Sequence, residues 1–437
     1  MKLLARNFIA YILIFGSGIT IFSSCITTTA KYDIIAPGKW RGVLFLEGYN
    51  RGLGTKKLPA KEQENSTGAE LPFNFEVVYD ATDKIHLEFI NGEERIKVEN
   101  IKIGRDKATA HDTIEIYFPE YGNYLHAVFN VGIMDGEWIV PSKNNYRIPF
   151  QAKHGQDYRF TNLKKTPKMD ISGKWETIFV DDTDSTKAIG EFLQNNNKLT
   201  GTFLTESGDY RYLDGTVQDN KIYLSCFDGA HAFLFEGKIE EDQSLQGVFY
   251  SGKSYKATWT AHKSNQNTLT DPFSLTQFTN NPITNTFINT ENQSFTLNDG
   301  KYKGKNKIIL ISGTWCPNCK DASKFLVNYQ KEHPNHNFEI IGTYFERGED
   351  KDKIIKHLQE YKTVMNVPYS MCYVGKANKD EISKVFPSVL NPSAFPTILF
   401  INKENKIQKI YTGFYGPATS EYEKFKKDFD TQLQNMK

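Results

Sequence analysis

From Ile34 to Ala261 the chain alternates apolar and polar residues in short runs broken by Gly, Asn, Asp and Ser. Runs such as "NFEVVYD" (74–80), "KIHLEFINGEERIKVENIKI" (84–103), "KLTGTFL" (198–204) and "KIYLSCF" (221–227) put side chains on two faces with a period of two and show little helical spacing. This half reads as antiparallel β. Residues 262–284, "HKSNQNTLTDPFSLTQFTNNPIT", are rich in Asn, Thr and Ser with two prolines and read as a linker. The pattern then changes: "QSFTLND" (293–299), "KIILISG" (307–313), "FEIIGTYF" (338–345) and "TILFIN" (397–402) read as strands with helical periodicity between them, the signature of a sheet covered by helices. The stretch 397–414 reads as a hairpin turning at Asn402 to Asn405, and a closing helix carries Tyr422, Phe425, Phe429 and Leu433 on one face.

The β half contains a weak internal repeat. "PGKWRGVLFL" (37–46) and "SGKWETIFV" (172–180) open two stretches that close on "YRIPFQA" (146–152) and "YKATWTA" (255–261). Two modules follow, 37–165 and 166–261, each a small barrel or sandwich. Trp40 and Trp175 hold equivalent positions at the start of the first strand, which favours core plugs over ligand-stacking residues. His86, His111, His126 and His231 are not spaced with other ligands as a metal set would be.

At 437 residues the chain exceeds what one core serves, and 39% apolar with 14% aromatic residues suffices for several packed cores. The net charge of +1 gives no sign of the clustered basic surface that nucleic acid requires, and charge is otherwise uninformative. The first residues change the picture more. Lys2 and Arg6 precede a mostly apolar run from Phe8 to Phe22, then Ser23, Ser24 and Cys25. A basic end, an apolar stretch short for a membrane span and small residues before a cleavage point describe an export signal at 1–24. The boundary resembles the lipobox of bacterial lipoproteins, with Phe22 where that box prefers Leu. The resemblance implies that Cys25 is lipidated and that 25–36 is a tether to a membrane.

An exported chain meets oxidising conditions, so its five cysteines matter: Cys25, Cys226, Cys316, Cys319 and Cys372. Cys226 in "YLSCF" and Cys372 in "YSMCYV" lie in apolar segments and read as buried, unreactive thiols with no bridge between them. Cys316 and Cys319 stand apart, in "SGTWCPNCK" (312–320). The run "IILI" (308–311) before them reads as a buried central strand, and Ala322, Phe325, Leu326 and Tyr329 after them give a helix with one buried face. Pro317 suits its first turn. Cys316 then sits at a helix N-terminus, where free N–H groups and the dipole favour a thiolate, and Cys319 lies one turn on. That spacing suits reversible exchange. A zinc site would need a second ligand pair, and neither Cys372 nor His333 and His336 provides one. A structural staple of four residues adds little stability, and a peroxide-attacking thiolate is a further alternative.

Strand, "WCPNC", amphipathic helix and the later "AFPT" (394–397) together resemble the thioredoxin-like superfamily, with most similarity to TlpA/ResA-type extracytoplasmic disulfide oxidoreductases of Bacteroidetes lipoproteins. The resemblance covers 285–437, and the modules before it resemble N-terminal additions seen in such lipoproteins. The fold expected is multidomain: antiparallel all-β modules followed by an α/β thioredoxin-like domain. The resemblance implies a cis bond before Pro396 and a substrate groove formed by Trp315, Pro317, Phe395 and Pro396. It also implies a departure: many relatives carry a buried Asp six residues before the first cysteine, and here that residue is Leu310. Glu346, in "YFERGED", is the candidate for proton transfer; the alternative is a solvated Glu opening the next helix.

The expected activity is thiol-disulfide exchange, with Cys316 attacking a substrate disulfide and Cys319 resolving the mixed disulfide. It needs no metal and no cofactor beyond the redox-active Cys316–Cys319 disulfide. Family likeness favours the reductase direction on disulfide-containing proteins, which requires a membrane electron donor. The place expected is the cell envelope, lipid-anchored and facing the periplasm or on the outer membrane. The competing reading is a lipid-anchored binding lipoprotein whose β-modules capture a partner or glycan, with the redox domain accessory.

Overall fold

A computed structural model describes residues 35–46, 69–81, 84–144, 146–266, 268–334 and 337–436. The export signal, Cys25 and most of the tether lie outside the described residues. Among the described residues no helix is long and apolar enough to cross a membrane.

Among its described residues the first module is a nine-stranded antiparallel sheet curled into a half-barrel, with Glu94–Val98 at one edge and Ile101–Arg105 at the other. The second closes. Strand Lys198–Thr205 pairs with both Ser185–Asn195 and Leu213–Gln218, and Gly173–Val180 pairs with Tyr255–Lys263, which completes an eight-stranded ring. The repeat read from the sequence has a physical counterpart at its two tryptophans. Trp40 Nε1 donates to the carbonyl of Ala36 at 2.9 Å and Trp175 Nε1 to that of Ile171 at 2.8 Å, and both rings are wholly buried. They are core plugs tied to the backbone four residues upstream.

The modules are fused rather than strung in tandem. Phe227 and Leu234 of the second belong to the core of the first, with Phe227 4.8 Å from Phe73 between ring centroids. Buried Arg159, on the connection between them, donates to Ser225, to the carbonyl of Ile90 and to Asn91.

The segment read as a linker is also docked. The strand before it runs on to Lys263, the carbonyl of Pro272 accepts from Thr412 N at 3.0 Å, Phe273 packs on Tyr411, and Gln277–Phe278 pairs with Val389–Leu390. Its polar composition hid Phe273, which packs on the sheet, and the short strand that pairs through its backbone.

The C-terminal unit has a five-stranded sheet in the order Ser370–Lys376, Phe338–Glu346, Asn306–Ser312, Thr397–Ile401, Ile407–Thr412. The central strand runs parallel to Phe338–Glu346 and antiparallel to Thr397–Ile401. Four helices accompany it: α1 (Pro317–Glu332), α2 (Lys351–Val364), α3 (Lys379–Val385) and α4 (Tyr422–Asn435). Ile308, Ile309, Leu310 and Ile311 are fully buried because the sheet is covered on both faces, and each contributes about 1.5–3 kcal/mol by leaving water. The "QSFTLND" run shrinks to Ser294–Thr296, paired with Thr286–Ile288, because the Asp299 carboxylate accepts from Thr296 N and Oγ1 and turns the chain.

Candidate active site at the end of the central strand

The central strand delivers the chain to Gly313–Trp315 and then to Cys316, which caps α1 with extended backbone at φ −111°. Its sulfur accepts the Cys319 N–H at 3.2 Å, so one of the donors left free at a helix start points at the Cys316 thiol. Pro317 occupies the first helical position, where no N–H is missed. Cys316 is 8% exposed and Cys319 wholly buried. Burial pushes the Cys319 thiol well above its ordinary range, and the hydrogen bond with Cys316 and the charge there push the same way. One sulfur can be reached from outside and the other is held as a thiol behind it. Both are free thiols in this structure, as are Cys226 and Cys372.

Phe395 and Pro396 meet the pair from across the sheet. The Phe395–Pro396 bond is cis, and the Phe395 carbonyl lies 3.8 Å from Cys316 Sγ. Trp315 stands edge-on to Phe395 at 5.5 Å, donates Nε1 to the carbonyl of Phe345 at 2.9 Å, and carries the Arg347 guanidinium over its ring at 4.2 Å. Four residues singled out in the sequence as a groove, Trp315, Pro317, Phe395 and Pro396, are thus brought around Cys316.

Glu346 is neither solvated nor helical. It ends strand Phe338–Glu346, is 5% exposed, and accepts from Thr314 N at 2.7 Å and Thr314 Oγ1 at 2.8 Å. Burial pushes its carboxyl up to about 7, against the opposing pull of the Thr314 hydrogen bonds and the Arg347 charge. The next helix begins only at Lys351. A group that changes charge near neutral pH therefore lies beside the strand exit two residues before Cys316. Leu310 is buried among apolar side chains.

Sequence reading missed what holds the start of α1. Asn318, between the two cysteines, donates Nδ2 to the carbonyl of Asp209 at 3.2 Å. Lys320 pairs with Glu120 at 3.3 Å and lies over the Tyr121 ring at 4.6 Å. Asp321 pairs with Arg211, which also meets Glu94 at 2.9 Å and Asp228 at 3.5 Å. Both β-modules thus grip the helix that carries the dithiol. No local signal announces this, because the partners lie about a hundred or more positions away. Beside this grip, a cleft of about 360 Å³ opens between Tyr117, Tyr121 and Pro141 of the first module and Trp315, Glu346, Arg347 and His357 of the C-terminal unit.

The remaining candidates are structural. His86 pairs with Asp80 at 2.9 Å and His231 with Asp228 at 3.3 Å, and among the described residues no group of three or more His, Cys, Asp or Glu is arranged to hold a metal. Cys226 and Cys372 are wholly buried in separate cores, and burial pushes Cys226 well up and Cys372 to about 12.

No protein-family model matches the chain. The thiol-disulfide oxidoreductase ResA of Bacillus subtilis is 26% identical over 111 residues, which is 25% of this chain and 55% of that protein. The chain thus spans about half the length of this curated relative. Among solved structures, a thiol:disulfide interchange protein of the thioredoxin family from Chlorobium tepidum is 18% identical, with a TM-score of 0.27, over 37% of this chain and 97% of its own. A thiol-disulfide oxidoreductase from Bacteroides fragilis is 13% identical, with a TM-score of 0.27, over 34% of this chain and 98% of its own. Part of the chain is thus similar to the thiol-disulfide oxidoreductase ResA.

Proposed function

We propose that this protein is an extracytoplasmic thiol-disulfide oxidoreductase that reduces protein disulfides through Cys316 and Cys319. The observation that carries the reading is the Cys316 sulfur at the cap of α1, receiving the Cys319 N–H and lying beside the Phe395 carbonyl. An N–H group of the helix start faces this sulfur, and thiolate is the species that attacks.

In the forward direction the Cys316 thiolate attacks one sulfur of a substrate disulfide. That S–S bond breaks, the departing thiolate takes a proton from water, and a mixed disulfide to Cys316 remains. Cys319 then loses its proton and attacks Cys316 Sγ, releasing the second substrate thiol and leaving a Cys316–Cys319 disulfide. Glu346, ionised in part near neutral pH, is the acceptor we assign to the Cys319 proton. Trp315, Pro317, Phe395 and Pro396 form the surface on which the substrate segment lies. Two electrons per cycle come from a membrane electron donor, and no metal or other cofactor takes part. Lipid on Cys25 would hold the protein to the envelope membrane, on the periplasmic face or at the outer membrane, a reading supported by the pattern of residues 1–25. Nucleic acid has no place in it. The grip of both β-modules on α1 favours one redox body over a binding protein with an accessory redox domain.

The test is turnover by the full chain. With dithiothreitol as electron source the protein should accelerate reduction of insulin, and Cys316→Ser should reduce the rate to the uncatalysed level. Equal acceleration by wild type and Cys316→Ser would overturn the reading.

A further inference from the structure

The segment Gly208–Arg211 of the second β-module, a two-residue strand and the start of the loop after it, lies directly on the dithiol motif. Gly208 has φ +145°, and a Cβ there would come within 2.1 Å of Asn318 Nδ2 and 3.0 Å of the Phe414 carbonyl. The module's backbone therefore approaches the residue between the cysteines as closely as glycine permits. The next residue, Asp209, accepts from Asn318 through its carbonyl and from Gly416 N through its carboxylate at 2.6 Å, which ties the segment to the loop before α4. Arg211, left-handed at φ +64°, is held by its own N–H on Asp209 Oδ1 at 2.8 Å. From there its guanidinium reaches Asp321 on α1.

The charges at this junction are unbalanced and dry. Arg211 is 2% exposed, Asp228 0% and Asp321 8%. Burial alone would weaken the hold of Arg211 on its proton, but the charges of Glu94 and Asp228 more than reverse this, so the guanidinium stays charged. Lys320 is already paired with Glu120. Asp321 is five residues after Cys316 on the same helix, and a bare carboxylate there would oppose the stabilisation that the helix N-terminus gives a thiolate. In a buried setting water screens such a charge poorly.

We propose that the second β-module completes the redox centre, its segment Gly208–Arg211 fixing Asn318 and cancelling the charge of Asp321, so that the reduction potential of the Cys316–Cys319 pair is set from outside the thioredoxin-like domain. This rests on the reading of that pair as an exchanging dithiol. Arg211 is a positioning residue: it acts on the dithiol through Asp321. Loss of its charge destabilises the thiolate, hence the reduced form, and shifts the equilibrium toward the disulfide.

The experiment compares the full chain with Arg211→Met, Asp321→Asn and the double variant. It reads the iodoacetamide rate at Cys316 at pH 6 and the reduced fraction in one glutathione buffer, with circular dichroism as the check of folding. Arg211→Met should slow alkylation roughly threefold to tenfold and lower the reduced fraction. The double variant should recover part of the loss in both readouts, since the Asp321 charge is then gone while Glu94 and Asp228 still lack the guanidinium. A folded Arg211→Met with both readouts unchanged, or a double variant no closer to wild type than the single, would overturn the proposal. Should Arg211→Met fail to fold, Asp321→Asn decides: faster alkylation and a higher reduced fraction support the proposal, and no change refutes it. A wild-type dithiol that never cycles in the glutathione buffer would instead sink the oxidoreductase reading itself.

Discussion

The carboxylate of Glu346 receives both the N–H and the hydroxyl of Thr314, 32 residues away in sequence and two before Cys316. The pairing places a buried acid, pushed up to about 7, at the strand exit that leads to the dithiol.

This acid should give the protein a pH dependence of definite sign. Its carboxyl titrates at about 7 when folded, against an ordinary 4.5, so between these values the folded chain holds a proton that the unfolded chain releases. The associated stability is complete below pH 4.5 and is lost as pH rises through 7. By pH 8 the loss amounts to roughly 3 kcal/mol at most. Glu346→Gln should remove this slope in urea unfolding at pH 5 and 8. In single turnover the Gln variant should resolve the mixed disulfide roughly tenfold to hundredfold more slowly at pH 8. Identical pH profiles for the two proteins would exclude Glu346 as proton acceptor.

The thiols should react in a fixed order. Cys316 is the partly reachable sulfur, whereas Cys319, Cys226 and Cys372 are wholly buried and pushed toward the thiol form. Limited iodoacetamide at pH 7.5 should label Cys316 roughly tenfold or more faster than any of the other three, as read by peptide mass spectrometry. Equal labelling of Cys316 and Cys319 would contradict the arrangement of one open and one shielded sulfur.

Trp40 and Trp175 should act on stability. Each is wholly buried and bonded to the carbonyl four residues upstream. Trp175→Ala should cost about 3–5 kcal/mol in urea unfolding, with turnover per folded molecule kept within a factor of about two, since Trp175 lies in the second module's core apart from the dithiol. A stable variant with impaired turnover would move Trp175 from the core to a ligand site.

What the sequence disclosed was what is local. Strand, turn, Cys316, Pro317 and Cys319 follow one another within a dozen residues, so the apolar run and the helical spacing place the pair at a helix cap without any tertiary information. Alternation of apolar and polar residues likewise exposed the β half and its repeated tryptophans. Glu346 was harder, because a strand-terminal acid and a helix-opening acid look alike in "YFERGED", and its burial depends on Thr314. The docked segment 262–284 looked like a linker because Phe273 and Phe278 are sparse among polar residues. Least legible was the grip on α1: Arg211 and Asp321 are 110 positions apart, in segments whose own patterns say turn and helix surface. Closure of the second module but not the first also rests on pairings between distant strands.

The central claim, that Cys316 attacks and Cys319 releases, is tested most directly by Cys319→Ser in the full chain. After incubation with an oxidised peptide disulfide, intact-mass and peptide analysis should show one peptide joined to Cys316 in a bond that persists until reductant is added, while wild type retains none and carries the Cys316–Cys319 disulfide. Absence of any adduct on Cys316, or an adduct that wild type keeps as stably as the variant, would contradict the account.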